Sequence, residues 1–156
     1  MYLALKALHI IAVILFLGNT ITGAFWKSFG DKTGDPRIMA HTLDGIMRSD
    51  RLFTVPGVIM ILLFGFGAAG VARYRILSTG WIWMSLILFG ISGAAYMRGV
   101  VPVQVKLRNL ARAGATSGSF DRAEYDRLSK RWEFWGTVAI VTPLAALVLM
   151  VTKPAF

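Results

Sequence analysis

Only two imidazoles occur in this chain of 156 residues, and their placement is the first chemical signal. His9 lies in an apolar run from Tyr2 to Trp26 that is otherwise broken by charge only at Lys6. A neutral imidazole in such a run can ligate a metal or heme iron, carry a proton, or donate to the carbonyl of a neighbouring helix. At a rise of about 1.5 Å per residue it sits about 10 Å down a helix that starts at Tyr2. Tyr2, His9, Phe16 and Thr20 fall along one stripe of that helix, which is expected to face the other helices. His41 comes eleven residues before Leu52. A continuous helix there carries it about 15 Å outside the hydrocarbon, so the two histidines cannot ligate opposite faces of one heme.

What could face His9 follows from depth. Met84 and Ser85 in the third apolar run, and Gly65, Gly67 and Gly70 in the second, come to a similar level. A methionine thioether is a partner for heme iron, whereas most of the seven methionines in so apolar a chain read as filler. The glycines permit close helix packing or leave room for a flat ligand. Their GxGxxG spacing has no preceding strand to make it a nucleotide fingerprint. A second candidate is the string Arg48-Ser-Asp-Arg51 before the second run. Arginine at a membrane boundary can bind lipid phosphates or a carboxylate such as a porphyrin propionate, or pair with the helix around Asp121 to Glu133.

Several classes are excluded. There is no cysteine, so disulfides, thiolate metal sites and cysteine nucleophiles drop out. All eight acidic residues fall in two long connections or at their edges, which argues against a small proton-coupled exporter. The net charge of +9 fits basic loops facing anionic lipid, with no nucleic acid as partner, because no basic stretch stands free of the apolar segments.

These residues need elements to hold them. A chain 56% hydrophobic, with mean hydropathy +0.61, is too apolar for a soluble fold of this size. Spans are expected at about 2–26, 52–74, 79–98 and 134–153, within a single membrane domain covering 1–156. The first run is long enough to span and lacks the basic segment that precedes the core of a signal peptide. The expected fold is all-α, a four-transmembrane-helix up-down bundle whose short link from Ala72 to Thr79 makes antiparallel neighbours. Lys27–Gly34 reads as a loop, and Pro36 opens an amphipathic helix into span two with Arg37, His41, Asp44 and Arg48 on its polar stripe. Val105–Ala113 reads as a helix broken at Gly114–Gly118, after which Ser119 or Asp121 caps a helix running into span four. Pro56 and Pro143 are expected to mark bends.

Charge then sets orientation. Lys27, Lys32, Arg37, Arg48 and Arg51 follow span one, and Arg98, Lys106, Arg108, Arg112, Arg122, Arg127, Lys130 and Arg131 follow span three. Those thirteen stand against Lys6, Arg73, Arg75 and Lys153 on the other side. The positive-inside rule puts both long loops, and the extensions of helices two, three and four, in the cytoplasm of a bacterial inner membrane, with both termini outside.

The opening Tyr2-Leu-Ala-Leu-Lys-Ala-Leu-His-Ile-Ile-Ala-Val-Ile14 resembles the start of the HemJ-type protoporphyrinogen IX oxidases. The similarity returns in Phe53-Thr-Val-Pro-Gly57, in Phe64-Gly65 and in Val151-Thr-Lys-Pro154. The overall layout is closer to an uncharacterised bacterial family of predicted four-helix membrane proteins, a distant cousin of the HemJ and CopD-like groups. The resemblance implies His9 as the heme ligand. HemJ-type sequences carry further histidines in later helices, and this chain has none there, which leaves Met84 as the candidate second ligand. Two functions are therefore expected to compete. One is a heme b- or porphyrin-binding redox protein, possessing HemJ-like oxidoreductase chemistry, with His9 and Met84 at iron and Arg48 and Arg51 for anionic groups. The other is a non-catalytic accessory or scaffold module without cofactor. Membrane lipid, a homo-oligomer or a membrane redox partner are the expected contacts. Copper handling, through CopD-like kinship, ranks last because no Met-x-x-Met repeats.

Overall fold

The computed structural model describes residues 1–155, and every regular element in it is helical. Helix α1 is Tyr2–Lys32. Helix α2, Pro36–Ser49, passes through a π-helical turn, Asp50–Thr54, into α3, Val55–Val71. Helix α4, Gly80–Ala95, passes through a second π turn, Tyr96–Val100, into α5, Val101–Ser117. Helix α6 is Arg122–Thr152. The four continuous rods, Tyr2–Lys32, Pro36–Val71, Gly80–Ser117 and Arg122–Thr152, are each long and apolar enough to cross a membrane. Each exceeds the ~20 residues that the hydrocarbon core needs, so each continues beyond it.

Local chemistry explains the ends. The Asp35 carboxylate accepts from the Arg37 amide at 2.8 Å, with Pro36 in the first turn, and so starts α2. Asp121, the second of the two expected caps, accepts from the Glu124 amide at 2.9 Å and starts α6. Gly118, at φ +69°, ends α5 in the left-handed region. Two expected breaks are continuous helix instead. Lys27–Lys32 belongs to α1, because Lys27 is buried there and Gly30 fits against Thr42 of α2. Gly114 lies inside α5, where its missing side chain makes room for the Phe120 ring.

Both π turns have one cause. Pro56 and Pro102 each follow a turn by two residues, lack an N–H, and would press their rings on the carbonyl four residues back. The wider turn relieves this: the Val55 amide bonds to the Asp50 carbonyl and the Val101 amide to the Tyr96 carbonyl, five residues apart.

The rods pack as two antiparallel pairs, α1 with α3 and α4 with α6. In the first, Phe16 of α1 lies against Gly57 and His9 against Gly65. In the second, Ser92 and Ser85 of α4 donate to the Ala139 and Ala146 carbonyls of α6 at 2.7 and 3.3 Å. Among the described residues no Cα of α3 comes within 8 Å of one in α4. The short link therefore joins antiparallel rods that do not pack on each other: Gly57 and Gly65 of α3 meet α1, and Ser85 and Ser92 of α4 bond to α6. Across this gap the Phe16 and Phe89 rings meet edge to face at 5.7 Å. The two connections expected as long loops are helical instead, apart from short turns at 33–35 and 118–121. At that end, the loop end, α2, α5 and the start of α6 close a core in which Met39, Leu43, Leu107, Ala111 and Tyr125 are at most 1% exposed.

Candidate functional site

His9 is half-buried between α1 and α3. Its Nδ1 donates to the Ile61 carbonyl at 2.9 Å. A carbonyl only accepts, so Nδ1 carries a proton, and in the neutral form of the ring Nε2 is the nitrogen with the lone pair. A Cβ on Gly65 would come 3.0 Å from the ring, so that glycine makes the space the imidazole fills. Gly67 is filled in the same way by Leu5.

A second polar node is built where the π turns meet α1. Asp50 is 8% exposed, and its Oδ1 accepts from Asn19 Nδ2 at 3.1 Å and from Thr54 Oγ1 at 2.9 Å. Asn19 also donates to Thr54 Oγ1 at 2.8 Å. Tyr96 opens the second π turn as Asp50 opens the first, and the two side chains face one small cavity of about 20 Å³. That is room for a single water. Among the described residues Asp50 is in no ion pair. Asn19 precedes Trp26 of the exposed aromatic cluster Phe25, Trp26 and Phe29 by seven residues, about 10 Å along the helix. Counted along the chain, Asp50 stands at a loop edge. Its hydrogen bond to Asn19 instead draws the carboxylate into the bundle, level with span one.

The third node fastens the loop end. Lys27, 1% exposed, is ion-paired with Asp31 and donates to Ser129 Oγ at 2.6 Å. Its ammonium lies 5.0 Å from the Trp132 ring centroid. Asp31 also accepts from Tyr125 Oη at 2.6 Å and Ser129 Oγ at 3.1 Å, which ties α1 to α6. Burial, then the Asp31 carboxylate, push the Tyr125 phenol well above its ordinary range, so it stays a donor. Nearby, Trp132 Nε1 donates to Gln104 at 2.9 Å, and Arg112 grips both oxygens of Asp44 at 2.8 and 2.7 Å.

The expected site residues are not gathered into one place. Met84 is 41% exposed on α4, across the gap from the helix pair that carries His9. Arg48 and Arg51 are exposed, thirteen and ten residues before Ile61, hence about 15–20 Å from the imidazole. Neither is in an ion pair among the described residues; the acid that joins the two connections is Asp44, paired with Arg112. His41 is exposed on α2. Asn19, Thr54 and Tyr96 escaped the sequence reading as polar partners, although a lone amide within an apolar run was the available signal, and Asp50 entered it only within the Arg48–Arg51 string at the membrane boundary. Lys27 escaped as well, because its neighbouring turn residues disguised a buried helix.

Residues 3–154 match the model of a family described as a predicted integral membrane protein, DUF2269, and the chain belongs to that family. No curated protein matches the chain, and no solved structure does.

Proposed function

For a multi-pass membrane protein of this family, we propose heme b or porphyrin binding in service of a redox reaction, with His9 as the iron ligand. The observation that carries this reading is the hydrogen bond from His9 Nδ1 to the Ile61 carbonyl. Ligating histidines characteristically donate their other ring N–H to a carbonyl or carboxylate, which fixes tautomer and orientation. His9 has that arrangement, and its Nε2 lone pair is the one left to coordinate. Gly65 holds the ring in place, and the gap between the α1/α3 and α4/α6 pairs supplies a face open to a planar ligand. Met84, on the α4 side, is the proposed second ligand. Bound heme iron would supply one-electron chemistry at a potential set by its axial ligands. Arg48 and Arg51 lie too far away to serve the same group and are assigned to lipid phosphates. Basic connections in the cytoplasm, termini outside a bacterial inner membrane, and a membrane redox partner complete the reading.

A second reading has its own support. His9 and Leu5 fill the spaces of Gly65 and Gly67, which is what close packing in a cofactor-free accessory or scaffold module requires. Optical spectra of the detergent-purified protein, oxidised and dithionite-reduced, separate the two. Heme ligation requires a Soret band and reduced α/β bands that His9→Ala abolishes. A protein still colourless after incubation with hemin would remove the heme reading and leave the accessory module.

A further inference from the structure

The gap between the helix pairs widens into an apolar cavity of about 210 Å³ that His9 does not line. Phe16, Val58 and Phe89 wall its body, while Thr54, Ser92 and Tyr96 stand at its polar end. Ser92 is committed to the Ala139 carbonyl, and Thr54 donates to Asp50. Tyr96 lines both this cavity and the water-sized one that contains Asp50. The apolar slot therefore ends one side chain away from a buried carboxylate without a cationic partner among the described residues. A buried carboxylate with hydrogen bonds but no cation beside it is completed by a cationic group from outside, and an aromatic ring next to it favours such a cation.

We propose that the slot between α3 and α4 binds a single-chain amphiphilic ammonium compound, its apolar body against Phe16 and Phe89 and its cationic head toward Tyr96 and Asp50. The volume fits one short chain or ring and excludes a two-chain lipid. The carboxylate lies at the level of Asn19, about 10 Å inward of Trp26, deeper than a lipid headgroup resides. Entry is lateral, from the bilayer, because Val55, Ile59 and Met97 at the slot are exposed. This site is independent of heme ligation at His9.

The test uses the full chain in phosphatidylcholine nanodiscs, titrated with radiolabelled octylammonium and with neutral octanol. Saturable binding is expected to favour octylammonium at least tenfold, and Asp50→Asn removes that preference while leaving octanol binding unchanged. Gly93→Leu, whose side chain enters open space at the slot, abolishes both; Gly45→Leu, in open space outside the slot, changes neither. These two variants keep the proposal testable should Asp50→Asn fail to fold. Equal affinity for amine and alcohol, or full binding in Gly93→Leu, would overturn it. Displacement of octylammonium by phosphatidylethanolamine would overturn the assignment to a free amphiphile. His9→Ala is expected to leave every one of these affinities unchanged.

Discussion

The two ends of this bundle are held together by different forces. At the loop end, α2, α5 and α6 bury a continuous apolar core, with Met39, Leu43, Leu107, Ala111 and Tyr125 almost wholly enclosed. Toward the other end the buried apolar cluster shrinks to Ala12, Phe16, Leu17 and Ile61. There the helices are fastened by single hydrogen bonds to carbonyls, from His9, Ser85 and Ser92, and by glycines that admit a neighbour. Burial in water is driven by the hydrophobic effect, whereas lipid tails offer no such drive between helices. With the loop end outside the bilayer, as in the proposed orientation, the chain builds a closed core where water competes and a gapped one where lipid does.

Substitutions at the two ends should expose this contrast. The largest effect is expected from Lys27→Met, which leaves the Asp31 carboxylate without its cation at the loop end. Breaking a buried pair in this way costs about 3–5 kcal/mol, read as lost stability in detergent denaturation. Tyr125→Phe removes one of the other donors to Asp31 and should cost about 1.5–3 kcal/mol by the same measurement. Glycine to alanine is the sharpest comparison, since its sign should reverse. At Gly99 a Cβ would collide with the Trp135 ring, costing about 1–3 kcal/mol. At Gly93, beside the slot, a Cβ meets nothing within 4 Å, so Gly93→Ala should gain about 0.5–1 kcal/mol from helix propensity. Equal signs at the two positions would show that the gap closes in the membrane.

The smallest effect concerns the exposed pair of Glu124 and Arg127. The Arg127 guanidinium holds the Glu124 carboxyl below its ordinary value of 4.5, chiefly through their hydrogen bond. A depressed carboxyl contributes stability that is fully present above that ordinary value and lost as pH falls through the folded one. Melting curves below pH 4.5 should show a slight loss that Glu124→Gln does not share, within a general acid decline.

Much of the architecture was legible because it rests on composition and caps. Four apolar runs, Asp35-Pro36 and Asp121 each announce an element through local chemistry. The stripe of Tyr2, His9, Phe16 and Thr20 was legible too, and the structure buries or half-buries all four. Pairing was not, since which rod accepts the Ser92 hydroxyl is decided by tertiary geometry. The Asp50 node was equally hidden: Asn19 and Asp50 are thirty-one residues apart, and flanking arginines drew attention away from the acid between them. Lys27 sits among Gly, Asp and Lys, a composition that favours a loop until burial overrides it.

The two π turns carry one consequence for the molecule's history. Each fits one more residue into a turn than an α-helix holds, so the helix beyond is rotated by about 100° relative to an uninterrupted one. Along Pro36–Val71 and Gly80–Ser117 the inward-facing register consequently slips once, at the same level in both rods. Deleting one residue from a π turn, or adding one, would turn the segment below against the segment above like a key in a lock. Length changes should therefore be borne in the links, Ala72–Thr79 above all, and resisted at Asp50–Thr54 and Tyr96–Val100.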